Sequence, residues 1–294
     1  MKNKLLFLIL FFVAFQINAA NKAKHVVLIG CDGFGGYAFE KANIPNIKKL
    51  AQNGSITLEM RTVLPSSSAV NWASILMGAG PTFHGYTEWG SKTPEIPSVT
   101  VSKYGKFPSI FTILREQKPN SKMAVVYSWE GIEYLVEKDI IDIVAPTQSN
   151  ENLSADTAAA IIMKEKPDFI FIHFDEPDHV GHSIGHDTPE YYSTLEIVDQ
   201  RVGKIINAVH EAGIANETVI ILLADHGGIE KGHGGKTLQE VQVPFIISGA
   251  GIKKNHKITD STIVYDAAST IAKILGLKQP QAWRGVPVQD AFLK

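Results

Sequence analysis

The chain has 294 residues, 45% of them apolar, with 28 Lys and Arg against 30 Asp and Glu. That balance excludes a disordered or fibrous protein, and the length is enough to bury roughly three quarters of the unfolded surface, so no disulfide or structural metal is needed to hold a core. The single cysteine, Cys31, excludes an intramolecular bridge.

In chain order, Met1 to Lys4 is a short basic start, Leu5 to Phe15 is an unbroken apolar run, and Ala19-Ala20 offers small residues for cleavage. This is the pattern of a secretory signal over residues 1–20, and it predicts a secreted or periplasmic protein. The run is too short to span ~30 Å of hydrocarbon as a helix, and no Cys stands at the boundary to carry a lipid. No membrane anchor is therefore expected after cleavage. Residues 21–294 carry 26 basic and 30 acidic residues, a formal charge of −4, which argues against a specific nucleic-acid surface.

Beyond the signal, strands are predicted at His25 to Gly30, Met123 to Tyr127, Phe169 to Phe174, Thr218 to Ala224 and Pro244 to Ser248. Their near-continuous apolar character implies burial on both faces. Helical patterns lie between them. Pro45 can open a helix closed by Gly54, and a Ser cluster at 66–68 enters a helical stretch that closes at Met77-Gly78. Residues 154–165 and 264–275 read likewise, and Ser91 to Pro108 reads as a loop with one short strand. Thr188-Pro189 opens a long helix ended by Gly213, with an apolar stripe of Tyr191, Leu195, Val198, Val202, Ile205 and Val209. The alternation predicts an α/β fold, a mostly parallel sheet with helices on both faces. One catalytic domain over residues 21–294 is expected, with residues from about 85 to 150 as a candidate sub-lobe.

In an open parallel sheet, function collects beyond the carboxyl ends of the strands. Three predicted strands end in metal-type ligands: Gly30-Cys31-Asp32-Gly33, Asp175 to His182 with His186 beyond, and Asp225-His226-Gly227-Gly228 with His233 following. A lone zinc needs three or four protein ligands. Asp32, Asp178, His182, Asp225, His226 and His233 exceed that and suit two divalent cations, an arrangement fitted to in-line displacement at phosphorus. The nucleophile would come from Ser66 to Ser68, at a helix start where free N–H groups favour an anion.

These residues resemble the alkaline phosphatase superfamily, and most closely its nucleotide pyrophosphatase/phosphodiesterase branch. Four blocks match in order: Val27 to Gly33 with Ile44-Pro45-Asn46-Ile47; Pro65 to Asn71 with His84-Gly85; Glu176-Pro177-Asp178 to Gly181-His182; and Ala224 to Gly227 with His233-Gly234. The resemblance implies a hydrolase of phosphate diesters or pyrophosphates working through a phosphoseryl intermediate. It places the nucleophile on Ser68, one metal on Asp178, His182 and His233, and the other on Asp32, Asp225, His226 and the Ser68 oxygen. Asn71 would donate its amide to a phosphoryl oxygen. Asp175 and His179 share the four-residue spacing of Asp178 and His182, but only the latter pair sits in the motif. His186 stands where this branch often has Pro.

All implied ligands are N or O donors, so zinc is expected and manganese is the alternative. The expected partner is a small-molecule phosphate ester. A monoester carries about two negative charges and favours a nearby Arg, yet no Lys or Arg lies between Arg61 and Lys92. A diester is therefore favoured over the alternatives, a phosphomonoesterase or a catalytically silent metal- or ligand-binding protein of the same fold. The aromatics Trp72, Phe83, Tyr86 and Trp89 crowd the Ser68 segment and either stack on a leaving group or pack the core.

Overall fold

The computed structural model describes residues 23–294, so the signal expected over residues 1–20 lies outside the described residues. Among these residues, eight strands form one sheet: β1 His25–Cys31, β2 Gly54–Arg61, β3 Met123–Tyr127, β4 Ile143–Pro146, β5 Phe169–Phe174, β6 Thr218–Leu223, β7 Gln242–Gly249 and β8 His256–Lys257. Their order is β4-β3-β5-β1-β6-β7-β2-β8. Only β7 runs against its neighbours, pairing antiparallel with both β6 and β2. The fold is the expected mostly parallel α/β sheet, and β1, β5 and β6 at its centre are buried along almost their whole length.

Among the described residues, ten α-helices cover the sheet: α1 Ala38–Lys41, α2 Pro45–Gln52, α3 Ser68–Met77, α4 Pro81–His84, α5 Ile110–Gln117, α6 Glu151–Glu165, α7 Asp178–Ser183, α8 Pro189–Glu211, α9 Leu238–Val241 and α10 Asp266–Leu275. α2, α6 and α8 pack together as one layer, and α3, α5 and α10 as the other. The apolar stripe of α8 is buried as expected. Its N-cap is Thr188, whose hydroxyl accepts the Tyr191 N–H.

Some expectations change. Gly54 does not close α2; Asn53 does, and Gly54 opens β2, a strand whose half-buried pattern hides it among loop residues. The short strand expected within Ser91 to Pro108 does not form. The chain there is tied back by Glu95 and Ile96 N–H donation to the Gly85 carbonyl, and by the Glu95 carboxylate accepting from Thr87. Residues 123–127 and 143–146, inside the candidate sub-lobe, supply β3 and β4 to the common sheet.

The N-terminus of α2 has no local side-chain cap. Buried Asp199 of α8 does the work instead: Oδ1 accepts the Ile47 N–H at 2.8 Å, and Oδ2 accepts the Asn46 amide at 2.8 Å. Removing that carboxylate leaves these donors unpaired, so Asp199→Ala should cost about 3 kcal/mol, read from urea unfolding of the metal-free protein.

Candidate metal centre

Neighbouring strands β5, β1 and β6 run side by side into the segments that carry Asp178, Asp32 and Asp225. Asp32 is buried, and its Oδ2 accepts the Trp72 indole N–H at 2.9 Å with His173 Nε2 at 3.2 Å. Its Oδ1 has no hydrogen-bond partner and lies 3.3 Å from His226 Nε2. Gly33 turns the chain at φ 69°, where its N–H reaches Asp225 Oδ1 at 3.3 Å; a Cβ there would press within 2.8 Å of Asp178 Oδ1. Only glycine satisfies both demands.

Asp178 Oδ2 lies 3.2 Å from His182 Nε2 and 3.8 Å from His233 Nε2, and the two imidazole nitrogens are 3.0 Å apart. Asp178, His182 and His233 each offer a donor atom within 4.8 Å of the others, and so do Asp32, Asp178 and His226. Donors on a tetrahedral ion with bonds of about 2.1 Å stand about 3.4 Å apart, close to these separations. Asp178 is thus common to both groups, whereas the sequence expectation gave it to one. Asp225 falls outside the second group, with an unpartnered Oδ2 3.2 Å from His226 Nε2. His179 belongs to neither group, whereas His182, although also exposed, joins Asp178 in the first.

The second nitrogen of each imidazole supplies an independent test of metal fit. His226 Nδ1 faces the Gly227 carbonyl at 2.8 Å, His182 Nδ1 the Lys231 carbonyl at 3.0 Å, and His233 Nδ1 the Ser66 carbonyl at 3.0 Å. Each carbonyl can only accept, so Nδ1 carries a proton, and Nε2 is the nitrogen left to offer a lone pair to a cation, as a ligating histidine requires. Together with the unpartnered Oδ atoms of Asp32, Asp178 and Asp225, this donor set fits divalent cations.

Charge in the cluster is uneven. Burial, with the charges of Asp32 and Asp178, pushes the Asp225 carboxyl well above its ordinary range. Burial alone would also raise Asp178, but its bond from His182 and the nearby His226 and His233 outweigh that and hold it low. Bonding to Asp178 lifts His182 to about 9, while burial drives His233 and His186 each down to about 4. Cys31 is a buried strand residue whose thiol burial pushes up, as expected of a core position.

Ser68 opens α3, with its Oγ 3.1 Å from His226 Nε2. Ser66 is committed elsewhere, donating to the Gly235 carbonyl at 2.7 Å and accepting the Gly234 N–H. Asn71, expected to donate its amide to a phosphoryl oxygen, bonds here to the backbone before Ser68. Its Oδ1 accepts the Val63 N–H at 2.8 Å, and its amide donates to the Pro65 and Ser67 carbonyls, each at 3.1 Å. Fully buried and bonded to the 63–67 backbone, it holds the turn that presents Ser68.

A cleft of about 620 Å³ opens beside the cluster, lined by Pro65, Ser67, Trp89, His182, His233 and Gly234 among others, with no Lys or Arg. Of the four aromatics near Ser68, Trp72 and Tyr86 are core and Phe83 is stacked under Arg284; only Trp89, 66% exposed, opens to the cleft. The partners of Asp32 were missed in the sequence. The available signal was His173 itself, one polar residue in the buried run Phe169–Phe174, which must find a partner there.

The family model for type I phosphodiesterase / nucleotide pyrophosphatase matches residues 26–231. The chain belongs to that family. Among curated relatives, it is 26% identical to a venom phosphodiesterase of Macrovipera lebetinus over 69% of this chain and 25% of the relative. It is 24% identical to ectonucleotide pyrophosphatase/phosphodiesterase family member 1 of Mus musculus over 81% of this chain and 28% of the relative. The chain thus spans about a quarter of the length of the curated family members it matches. Among solved structures, murine ectonucleotide pyrophosphatase/phosphodiesterase 5, an inactive form in complex with AMP, superposes with a TM-score of 0.76 at 16% identity, covering 92% of this chain and all of that one. A 2-O glycosaminoglycan sulfatase superposes with a TM-score of 0.73 at 15% identity, over 91% of this chain and 73% of that one. These likenesses establish the alkaline-phosphatase-like fold. No helix among the described residues is long and apolar enough to cross a membrane.

The role found for Asn71 has a direct check. Asn71→Asp keeps the acceptor for the Val63 N–H but removes both amide hydrogens, and should cost about 2 kcal/mol of stability in denaturant unfolding of the metal-free protein.

Proposed function

We propose that this protein is a secreted, metal-dependent hydrolase of phosphate diesters or pyrophosphates that works through a phosphoseryl intermediate on Ser68. The observation that carries the reading is the Ser68 hydroxyl at 3.1 Å from His226 Nε2, within a cluster of unpartnered carboxylate oxygens and carbonyl-anchored imidazoles. Asp178, His182 and His233 would hold one cation, and Asp32, Asp225, His226 and Ser68 the other, with Asp178 near enough to serve both. Zinc suits these N and O donors best, and manganese is the alternative. Bound there, the two cations would lower the pKa of the hydroxyl and neutralise charge developing on the phosphoryl oxygens.

The chain's own residues arrange the rest. Asn71 fixes the turn so that Ser68 Oγ faces the cluster, and the first N–H groups of α3 lend partial positive charge to an anion there. Ser68 Oγ gives up its proton and forms a bond to phosphorus while the ester bond opposite breaks and the leaving oxygen departs, taking up a proton from solvent. Water then attacks phosphorus, the bond to Ser68 breaks, and the hydroxyl is regained with a phosphate product.

The cleft supports a diester. Without Lys or Arg in its lining, it offers nothing to a second phosphate charge, while Trp89 offers an apolar face to a small-molecule leaving group. The secretory pattern of residues 1–20 supports export to the periplasm or medium.

Ser68→Ala should lower turnover of bis(p-nitrophenyl) phosphate by about 10³-fold or more in zinc-loaded protein; retained turnover would contradict the reading. Wild type should hydrolyse this diester faster than p-nitrophenyl phosphate. The opposite order would assign a phosphomonoesterase, and bound metal without turnover of any phosphate ester would assign a silent binding protein.

A further inference from the structure

His186 is a buried imidazole with no part in the roles given above. Its side chain is fully enclosed and neither ring nitrogen has a hydrogen-bond partner. Its backbone N–H is pinned to the Glu230 carbonyl at 2.6 Å, which fixes the ring's root against the loop that carries His233. The ring tip is wedged between the two ligand-bearing segments: a Cβ on Gly181 would lie 2.4 Å from His186 Nε2, and one on Gly228 would lie 2.3 Å away. Gly181 directly precedes His182, and Gly228 follows His226 by two residues. Both glycines leave the space that this ring fills.

The tip points at Asp178. His186 Nε2 is 3.7 Å from Asp178 Oδ1, and that oxygen is also buried and without a hydrogen-bond partner. An unpaired donor and an unpaired acceptor thus face each other, about 0.8 Å beyond ordinary hydrogen-bond distance. His186 is also built differently from His182, His226 and His233, each of which has Nδ1 on a backbone carbonyl and Nε2 turned toward the cluster. His186 has no such anchor. It matches His173 instead, a buried imidazole with an unpartnered Nδ1 whose Nε2 meets a carboxylate, Asp32.

We propose that His186 is a positioning residue for the metal centre: in the cation-loaded protein its Nε2–H donates to Asp178 Oδ1, holding the carboxylate that both ligand groups share. Rotation of the Asp178 carboxylate closes the gap and pairs both buried atoms. His173 and His186 then form a matched pair behind the cluster, one backing Asp32 and the other Asp178. The proposal rests on the metal-centre reading above and adds a residue that stands where the resemblance led to the expectation of proline.

The test uses full-length protein and zinc titrated against a chromophoric chelator. Wild type should bind two zinc ions. His186→Leu, which fills the site but cannot donate, should bind at least one of them about 10- to 100-fold more weakly. His186→Gln, with an N–H donor at similar reach, should recover most of that affinity. In zinc-loaded wild type, ring-nitrogen NMR should find a proton on His186 Nε2, a readout that stands even where the Leu variant fails to fold. Wild-type affinity at both sites in His186→Leu would overturn the proposal, as would an Nε2 without a proton, the mark of a direct ligand. If wild type takes up no zinc, the metal-centre reading itself falls and this proposal with it.

Discussion

Three carboxylates, Asp32, Asp178 and Asp225, are buried within reach of one another at the end of a parallel sheet. In a low-dielectric interior such a concentration of negative charge stands only if protons or cations offset it. Much of the local structure follows from that constraint. Gly33 must turn tightly so that its N–H reaches Asp225, the Trp72 indole and His173 must meet Asp32, and the three imidazoles must turn Nε2 inward with Nδ1 on backbone carbonyls. Two divalent cations would bring four positive charges against three carboxylates and a serine alkoxide, leaving the cluster near neutral. The acidic balance of the chain is therefore no obstacle to an anionic substrate.

The fold supplies the convergence. Because β5, β1 and β6 are adjacent and parallel, their outgoing segments lie side by side, and β2 runs the same way two places further on. Ser68 follows β2 through a short turn and arrives at the same edge, where α3 begins. Trp72 joins scaffold to chemistry, packing at a tilt on Phe171 at 5.5 Å between centroids while its indole N–H holds Asp32. The carboxylate position is thus set by the core itself.

What the sequence made legible follows the same logic. The central strands were readable because burial on both faces makes them near-continuous apolar runs, and the acidic strand ends were readable because Asp, His and Gly interrupt those runs abruptly. β2 was not, since its half-exposed pattern includes Glu59 and Arg61, and β4 and β8 are too short to carry a period. The site residues Asp32, Asp178, His182, His226 and His233 were nameable from motif and spacing, and the structure brings them together. The structural part of Asn71 is not legible there, because its partners are backbone groups of the preceding turn, which no side-chain pattern announces. The same holds for Asp199, which caps a helix about 150 residues earlier in the chain, and for the sharing of Asp178 between two ligand groups.

The cleft extends this account from charge to selectivity. Its lining includes Pro65, Trp89 and glycines and no Lys or Arg; under the proposed function, recognition of the phosphoryl group would fall to the cluster and of the leaving group to an exposed indole. The central claim is that the cluster is a two-cation site, and anomalous diffraction at the zinc edge from zinc-loaded crystals tests it most directly. The account predicts two peaks, one among Asp178, His182 and His233 and one beside Asp32, His226 and Ser68. A single peak, or none at these residues, would contradict it.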